Sequence, residues 1–399
     1  MAWLVRLLAA LLLVLLVLWT SLPGQAAVVW FAGAETGDLS EFTQFDSGSN
    51  HFTVTTPVRT GGYAMRLVPA GSNPGFAISK KGLNLATAYT RVAFQHSNTL
   101  PTSLDHIIFE PLNGSQANTL RLWMKTDGTT YFNFNAARAT SIIASGSTIL
   151  TGGTWYVLEV KWVNSATVGG VELKINGTVE FSSFGTNTSG QGNFDQFIYG
   201  ADDAGGGAGN FYYDDLAISD SGYIGIGRSI ARQGTSGTPT YDAWTKVGVG
   251  CSGSSIDNCW SNTPFSTTTS ATDTVLNDAQ TMLVAPFNAT QSGHGTEVIA
   301  PQDVINGCKA AFVGKVALSS AVSIRRRIGG SDTDTSKTLT TSDAYYDDGI
   351  WTTTTANLNT AEVGAVHGSG VNLATVEDAW ILCDFTASAG RVKHRTTQQ

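Results

Sequence analysis

The segment NFYYDDLAI, residues 210–218, places two adjacent carboxylates, Asp214 and Asp215, between aromatic and apolar residues. If the segment is a β-strand, alternation puts Asp214 on the same face as Tyr212 and Leu216. That is the apolar face, which a globular protein buries. An unpaired buried charge costs several kcal/mol, so the chain must compensate this carboxylate.

Other side chains that could do chemistry form no recognised catalytic or metal pattern. The sequence has no G-x-S-x-G elbow, and its six histidines are scattered. In SDTDTSK, Asp332, Asp334 and Ser336 occupy the first, third and fifth positions of a possible calcium loop. Lys337 and Asp343 stand where an EF-hand needs glycine and glutamate, so a solvated hairpin is the better interpretation.

The first residues indicate export. Arg6 precedes an apolar run over residues 7–19, and the small-residue site GQA ends at Ala26. The run is shorter than the ~20 residues of an ordinary membrane span. We therefore predict a signal peptide over residues 1–26, cleavage after Ala26 and a secreted or cell-surface protein without a membrane anchor; an uncleaved anchor is the alternative.

The four cysteines, Cys251, Cys259, Cys308 and Cys383, all lie in the second half. In an exported chain, an even number of cysteines predicts disulfides, and the spacings match no zinc signature. We predict Cys251–Cys259, which closes the short loop CSGSSIDNC. We also predict Cys308–Cys383, because alternation turns both side chains inward on separate strands.

The elements that position these residues are predicted to be almost entirely β. Short alternating runs such as TWYVLEVKWVN are separated by Gly, Asn and Asp, and Asn176-Gly177 in GGVELKINGTVEF is typical of a two-residue hairpin turn. A second hairpin is predicted around Asp127-Gly128, and one helical turn around LNTAEVGAV. Many short strands with tight turns favour an all-β sandwich or jelly roll.

Composition and length limit the organisation. Only 14% of the residues are charged, the formal net charge is −8 and no basic patch with interleaved aromatics occurs, so nucleic acid is not an expected partner. We divide the chain into a first β domain over residues 27–222 and a second β-rich domain over residues 223–390. Residues 391–399 are predicted to form a polar tail.

The first domain resembles concanavalin A-like and carbohydrate-binding-module jelly rolls. FAGAETGDLSEFTQF, VRTGGYAMRLVP and FYYDDLAI carry this resemblance, and GTWYVLEVKW with GGVELKINGTVEF is similar to the laminin-G-like version of the fold. The resemblance implies a jelly-roll sandwich, followed here by a second sandwich-like domain.

The resemblance also implies a structural calcium ion. In several such modules a glutamate near the first strand and an acidic residue on the last strand hold calcium. Glu35 in GAETGD and Asp214 or Asp215 are the matching positions. Calcium would neutralise the buried carboxylate, because it takes oxygen ligands. Asp214 could instead accept backbone N–H bonds, or the pair could face solvent.

Sugar-binding modules of this kind stack a pyranose on an exposed aromatic ring. Outward members of aromatic strands are therefore the candidate ligand-binding residues, with a place in the core as the alternative for each ring. The candidates are Trp123, Tyr131, Trp155, Tyr199 and Tyr213.

An enzyme is not expected. Retaining glycosidases of the concanavalin A-like fold carry E-x-D-x-E or E-x-D-x-x-E, which positions two carboxylates about 5–5.5 Å apart. Neither pattern occurs in the sequence.

We interpret the chain as a secreted, non-catalytic binding protein whose partner is a polysaccharide or a cell-surface glycan, with self-assembly or an assembly partner as a further possibility. The second domain resembles β-rich segments of tailed-phage virion proteins. A structural subunit of a virion or surface assembly is therefore the alternative, and a glycan-active enzyme comes third.

Overall fold

The structure is a computed structural model, and it describes seventeen separate segments of the chain. These are residues 26–45, 51–68, 76–97, 105–115, 120–134, 142–189, 192–200, 209–233, 241–242, 245–248, 269–273, 280–284, 303–316, 320–342, 344–358, 361–367 and 374–386. The predicted signal peptide apart from Ala26, the pair Cys251–Cys259 and the polar tail lie outside the described residues. Among the described residues, no helix is long and apolar enough to cross a membrane.

The first part of the chain consists of antiparallel strands. They are β1 (Val28–Ala32), β2 (Gln44–Phe45), β3 (His51–Val54), β4 (Ala64–Leu67), β5 (Phe76–Ile78), β6 (Thr87–His96), β7 (His106–Asn113), β8 (Leu120–Met124), β9 (Thr130–Phe134), β10 (Ile142–Ser145), β11 (Tyr156–Val163), β12 (Gly169–Ile175), β13 (Thr178–Thr186), β14 (Phe194–Gly200) and β15 (Phe211–Ser219).

These strands form two sheets that pack face to face and make the first sandwich. The eight-stranded sheet has the order β13-β12-β11-β6-β15-β4-β3, with β1 beside β15. The seven-stranded sheet has the order β10-β9-β8-β7-β14-β5-β2. Non-consecutive neighbours in both orders, such as β6 with β15 and β7 with β14, show that the connections cross between the sheets. The predicted jelly-roll sandwich is confirmed.

Alternating side chains build the core between the two sheets. On β11, Leu158, Val160 and Trp162 are fully buried in it, and Tyr156 packs against its edge, as the pattern of TWYVLEVKWVN predicts. The predicted hairpin between β12 and β13 turns at Asn176 and Gly177, whose φ angles of 51° and 82° are both positive, as a type I′ turn requires.

The second part of the chain is also β-rich. Its elements are β16 (Gly227–Gln233), β17 (Tyr241–Asp242), β18 (Thr245–Gly248), β19 (Thr269–Asp273), β20 (Gln280–Val284), β21 (Val304–Val316), β22 (Ser320–Ile328), β23 (Ser331–Leu339), β24 (Ala344–Asp347), α1 (Thr355–Leu358), β25 (Glu362–His367) and β26 (Ala374–Thr386). The helical turn therefore ends at the first residue of the predicted LNTAEVGAV segment, and the second half of that segment lies in β25.

These strands form a second sandwich. A six-stranded sheet has the order β18-β19-β26-β21-β24 with β16 beside β26, and a five-stranded sheet has the order β17-β20-β25-β22-β23. A core cluster joins the two sheets through residues such as Phe312 of β21, Ile324 of β22 and Ile381 of β26. On β23, Asp332 and Asp334 pair with arginines of β22, as the solvated-hairpin interpretation of SDTDTSK requires.

The predicted disulfide Cys308–Cys383 is present. The two residues face each other directly in the ladder between β21 and β26, and both are fully buried. Alternation in the sequence predicted this pair, because both cysteine side chains point inward, as the alternation along their strands indicates.

The two sandwiches share an apolar interface. Phe31 and Ala217 on the outer face of the eight-stranded sheet pack with Ala311, Trp380 and Leu382 of the six-stranded sheet. The predicted boundary at Gly222 lies in the segment between β15 and β16. The four sheets therefore stack in the order seven-, eight-, six- and five-stranded.

Buried charges also cross this interface. The Arg91 guanidinium on β6 is ion-paired with Asp384 on β26, and both side chains are fully buried. The Lys309 ammonium lies 3.4 Å from Glu41 Oε1 and donates to the Phe31 carbonyl oxygen at 3.1 Å. Arginine and lysine at this depth require partners, so these contacts fix how the sandwiches sit against each other.

Candidate functional site

The outer face of the seven-stranded sheet carries a small aromatic cluster. Trp123 on β8 and Tyr131 on β9 point outward, because their neighbours Leu122 and Phe132 lie in the core. The two rings are parallel within 3° with centroids 6.0 Å apart, and Ile107 packs beside them. Aromatic rings on an outer sheet face are the first requirement for binding a sugar there.

A strip of polar side chains crosses three strands beside these rings. The Arg121 Nε–H donates to Glu110 Oε2 at 2.6 Å, and Arg121 faces Asn133 in the ladder between β8 and β9. The Trp123 indole N–H donates to Asn133 Oδ1 at 2.7 Å. The strip therefore holds the aromatic cluster in a defined orientation.

Gln196 on β14 is the most informative residue of this face. Its side chain points outward because Phe197 lies in the core, yet the residue is only 1% exposed. Neither Oε1 nor Nε2 of its amide has a hydrogen-bond partner. A buried polar group without partners costs about 1–3 kcal/mol, so this amide lowers the stability of the fold.

We call this surface the polar face. It comprises Ile107, Glu110, Arg121, Trp123, Tyr131, Asn133 and Gln196.

The structure places the five predicted sugar-stacking aromatics in three different settings. Trp123 and Tyr131 have the predicted outward orientation, but both are fully buried and present no free ring face. Trp155 precedes β11 and is half-buried. The prediction is wrong for Tyr199 and Tyr213, which lie inside the core between the sheets with ring centroids 6.3 Å apart.

A β-bulge explains why Tyr213 turns inward. β15 pairs with β4 through Phe211 and Tyr213 and with β1 from Leu216 onward, and its register shifts between Asp214 and Ala217. The shift puts Tyr213 and Leu216 on the same side, so simple alternation from Leu216 back to Tyr212 fails. A bulge on β14 between Phe194 and Gln196 breaks the alternation there in the same way.

The two aspartates lie at the bulge of β15, and Glu35 lies beside them; all three carboxylates are fully buried. Asp214 Oδ2 accepts the Arg59 N–H at 2.8 Å and the Thr60 N–H at 3.1 Å, and its Oδ1 accepts the Asp215 N–H at 2.7 Å. Asp214 is thus satisfied by backbone donors, which was one of the alternatives in the sequence.

Asp215 and Glu35 have different surroundings. Asp215 is ion-paired with Arg59 and accepts the Thr60 hydroxyl at 2.5 Å and the Ser229 N–H at 2.6 Å. Glu35 Oε2 accepts the Gly62 N–H at 2.8 Å, while its Oε1 has no hydrogen-bond partner. Burial and the neighbouring Asp214 raise the pKa of Glu35 well above its usual value.

This arrangement does not fit the predicted three-carboxylate calcium site. Protein donors already occupy the oxygens of both aspartates, and Arg59 supplies a positive charge where a cation was expected. Among the described residues, no group of three or more carboxylate, histidine or cysteine side chains is placed to hold a metal ion. The convergence of Glu35 with the aspartates agrees with the sequence, and calcium binding stays a prediction.

Sequence reasoning missed four residues of the polar face. Glu110, Arg121, Asn133 and Gln196 are ordinary polar residues on strands, where an outward position at the surface is the usual interpretation. A signal existed for two of them, because Arg121 and Asn133 each stand two residues from a predicted ligand-binding aromatic and must share its face. Gln196 carried no such signal.

Residues 70–222 match the family described as the Concanavalin A-like lectin/glucanases superfamily, so the resemblance to that fold is confirmed over this part of the chain. A comparison with curated protein sequences finds no match. The phage resemblance of the second part stays a prediction.

Solved structures similar to this chain have low sequence identity. A cellulose induced protein is 14% identical, with a TM-score of 0.36, over 46% of this chain and 91% of its own. Domain 4 of an extracellular GH43 arabinanase from Geobacillus stearothermophilus, in complex with arabinotriose, is 15% identical with a TM-score of 0.36 over 49% of this chain and 94% of its own. A carbohydrate esterase from the Shiga toxin-encoding bacteriophage phi24B is 15% identical with a TM-score of 0.37, over 49% of this chain and 100% of its own.

Proposed function

We propose that the protein is a secreted, non-catalytic carbohydrate-binding protein whose first sandwich binds a polysaccharide or a cell-surface glycan. The match of residues 70–222 to a lectin and glucanase superfamily associates the first sandwich with carbohydrates. The observation that carries the proposal is this match.

Of the five predicted sugar-stacking aromatics, Trp155 is the one whose side chain is half-buried rather than fully buried, so its ring is the aromatic surface among them that a pyranose can contact. Trp155 immediately precedes β11 in the first sandwich.

Two features support a binding role without catalysis. The glycosidase patterns E-x-D-x-E and E-x-D-x-x-E are absent from the sequence. Glu110, the carboxylate at the centre of the strip, is ion-paired with Arg121 at 2.6 Å, which suits a fixed structural partner rather than a nucleophile or acid.

Export is supported by the apolar leader before Ala26. The first sandwich begins immediately after it, with the Ala27 N–H donating to Ser221 Oγ at 2.8 Å and β1 starting at Val28. Removal of residues 1–26 would leave every strand of the sandwich intact. N-terminal sequencing of the exported protein should begin at Ala27.

Binding of the exported full chain to a glycan array, followed by calorimetry on the positive glycans, tests the proposal. Trp155→Ala removes the half-buried ring, and it should weaken glycan binding by about tenfold or more. Trp351→Ala is the matched control, because Trp351 is also half-buried but packs against the core of the second sandwich. This control should bind like the wild type.

Incubation with each bound glycan should release no product. Failure of the folded wild type to bind any glycan would contradict the proposed function, and equal binding by Trp155→Ala and the wild type would contradict the role of this ring. Circular dichroism of each variant establishes that it is folded.

A further inference from the structure

Part of the outer face of the eight-stranded sheet extends beyond the interface with the second sandwich. Tyr89 on β6 and Lys161 on β11 point to this face, because their neighbours Ala88 and Trp162 lie in the core. Both side chains are half-buried, and Phe184 on β13 is 39% exposed. This part of the first sandwich is therefore accessible to a ligand.

Three aromatic rings and two ammonium groups lie together on this surface. The Lys161 Nζ lies 5.2 Å from the centroid of the Phe184 ring and 5.8 Å from that of the Tyr89 ring. The Tyr89 ring packs edge-on against Tyr223, with centroids 5.1 Å apart, and the Lys174 Nζ on β12 lies 3.4 Å from the Tyr223 centroid. Tyr223 and Lys174 are also half-buried. We call these five residues the ring–lysine surface.

The carboxylates that face the two lysines in the sheet are bonded to other donors. In the ladder between β11 and β12, Glu172 faces Lys161 and Glu159 faces Lys174. Glu172 accepts the Tyr223 hydroxyl at 2.6 Å, and Glu159 is buried and accepts a backbone N–H at 2.7 Å. Within the part of the chain that the structure describes, neither ammonium group is ion-paired. Each lysine therefore contacts ring faces and has no carboxylate partner there.

Half-buried rings beside ammonium groups suit a ligand that has both apolar faces and negative charges. A lysine ammonium has three N–H donors, so one that rests on a ring face can still donate to a carboxylate or a sulfate. We propose that the ring–lysine surface binds an acidic oligosaccharide, with Lys161 and Lys174 holding its anionic groups and the three rings contacting its sugars. This inference rests on the proposed function and adds a binding surface and a class of ligand.

Calorimetry with the exported full chain and four kinds of probe tests the inference. The probes are polygalacturonate oligosaccharides for carboxylates, heparin oligosaccharides for sulfates, xylan oligosaccharides as neutral chains, and a single-stranded oligothymidylate. At least one acidic oligosaccharide should bind about tenfold or more tightly than the neutral chains, and this affinity should fall as the salt concentration rises, because salt screens exposed charges. Comparison of the two acidic probes distinguishes a carboxylate from a sulfate ligand.

Two substitutions locate the binding on the ring–lysine surface. Lys161→Gln should weaken the acidic ligand by about tenfold, because one charge-assisted hydrogen bond is lost. Lys337→Gln is the matched control, since Lys337 is a half-buried lysine on β23 of the second sandwich, and it should bind like the wild type. Phe184→Ala should also weaken binding, whereas Val304→Ala, at a comparably exposed apolar residue of β21, should not. If a variant fails to fold, the wild-type comparison of the probes still decides the inference.

Binding of the neutral chains as tightly as the acidic ones would overturn the inference while leaving glycan binding intact. An unchanged affinity of folded Lys161→Gln for the acidic ligand would overturn it as well, because the ligand would then lie elsewhere. Tighter binding of the oligothymidylate than of any oligosaccharide would identify a nucleic-acid surface instead. Failure to bind any glycan at all would remove the proposed function, and this inference with it.

Discussion

Large parts of both outer faces of the first sandwich are buried, but they are buried in different ways. Where the outer face of the eight-stranded sheet packs on the second sandwich, its buried Arg91 is ion-paired with Asp384. We call this part the covered face. On the polar face, the equally buried Gln196 has no partner for either amide atom.

The difference lies in how the chain satisfies its buried polar groups. Where the chain covers a sheet with itself, it also supplies partners: Asp384 receives Arg91, the Asn306 amide at 2.6 Å and the Ser229 hydroxyl at 3.2 Å. A polar group left unsatisfied lowers stability. The interface between the sandwiches also contains such a group, because the Trp380 indole N–H has no hydrogen-bond partner, so burial without partners does not by itself identify a functional face.

The largest expected loss of stability comes from removing the buried ion pair at the covered face. Asp384→Ala should lower the free energy of unfolding by about 3–5 kcal/mol, because it leaves Arg91 as a buried charge without its carboxylate. Urea unfolding followed by circular dichroism measures the loss. A single transition is expected for both sandwiches, since one apolar cluster joins them.

Asp332→Ala is the matched control, because this aspartate lies in a partly exposed ion pair on β23 and should contribute under about 1 kcal/mol. Equal losses for the two variants would show that the charges in the covered face contribute little. Two separate transitions would show that the sandwiches unfold independently.

The carboxylates of Glu35, Asp214 and Asp215 next to the covered face allow a test of whether calcium or protein donors stabilise them. A calcium ion at a hundredfold excess over its dissociation constant would stabilise the fold by ~2.7 kcal/mol, which EDTA would remove. Because protein donors occupy the oxygens of Asp214 and Asp215, we expect EDTA to leave the melting temperature of the full chain unchanged. A drop on EDTA that added calcium reverses would establish the calcium site.

The direction in which Glu35→Gln shifts the melting temperature makes this test sharper. The pKa of Glu35 is raised in the folded state above its usual 4.5, so its stabilising contribution is present below pH 4.5 and is lost as the pH rises through the folded value. Glu35→Gln should therefore melt above the wild type at neutral pH, with a gap that closes as the pH falls toward 4.5. With calcium bound, the same change would remove a ligand and lower the melting temperature.

The smallest expected change in the free energy of unfolding, and the one of opposite sign, comes from a substitution on the polar face. Gln196→Leu should leave the free energy of unfolding unchanged or raise it by about 1 kcal/mol, because no hydrogen bond is lost. Asn306→Leu on β21, in the sheet that packs on the covered face, is the matched amide substitution and should destabilise, since Asn306 donates to Asp384. Urea unfolding of both variants provides the comparison, and a large loss for Gln196→Leu would show that its amide has a structural role.

Local pattern determined most of the architecture. Alternation predicted the strands, the Asn176-Gly177 turn followed from two residues that accept positive φ, and inward parity paired Cys308 with Cys383. These features depend on the pleat and on backbone sterics, which act over a few residues and can therefore be inferred from the sequence.

Tertiary structure decided every feature that depends on contacts between different strands and sheets. The bulge at Asp214 and Asp215 arises where β15 exchanges β4 for β1, and it turned Tyr213 into the core against its expected parity. The backbone N–H groups of Arg59 and Thr60 satisfy Asp214, although they lie far from it in the chain. The Gln196 amide has no hydrogen-bond partner. Neither outcome can be inferred from the sequence around these residues. Sequence pattern specifies the face of a strand, but only the packing of whole sheets decides what, if anything, that face touches.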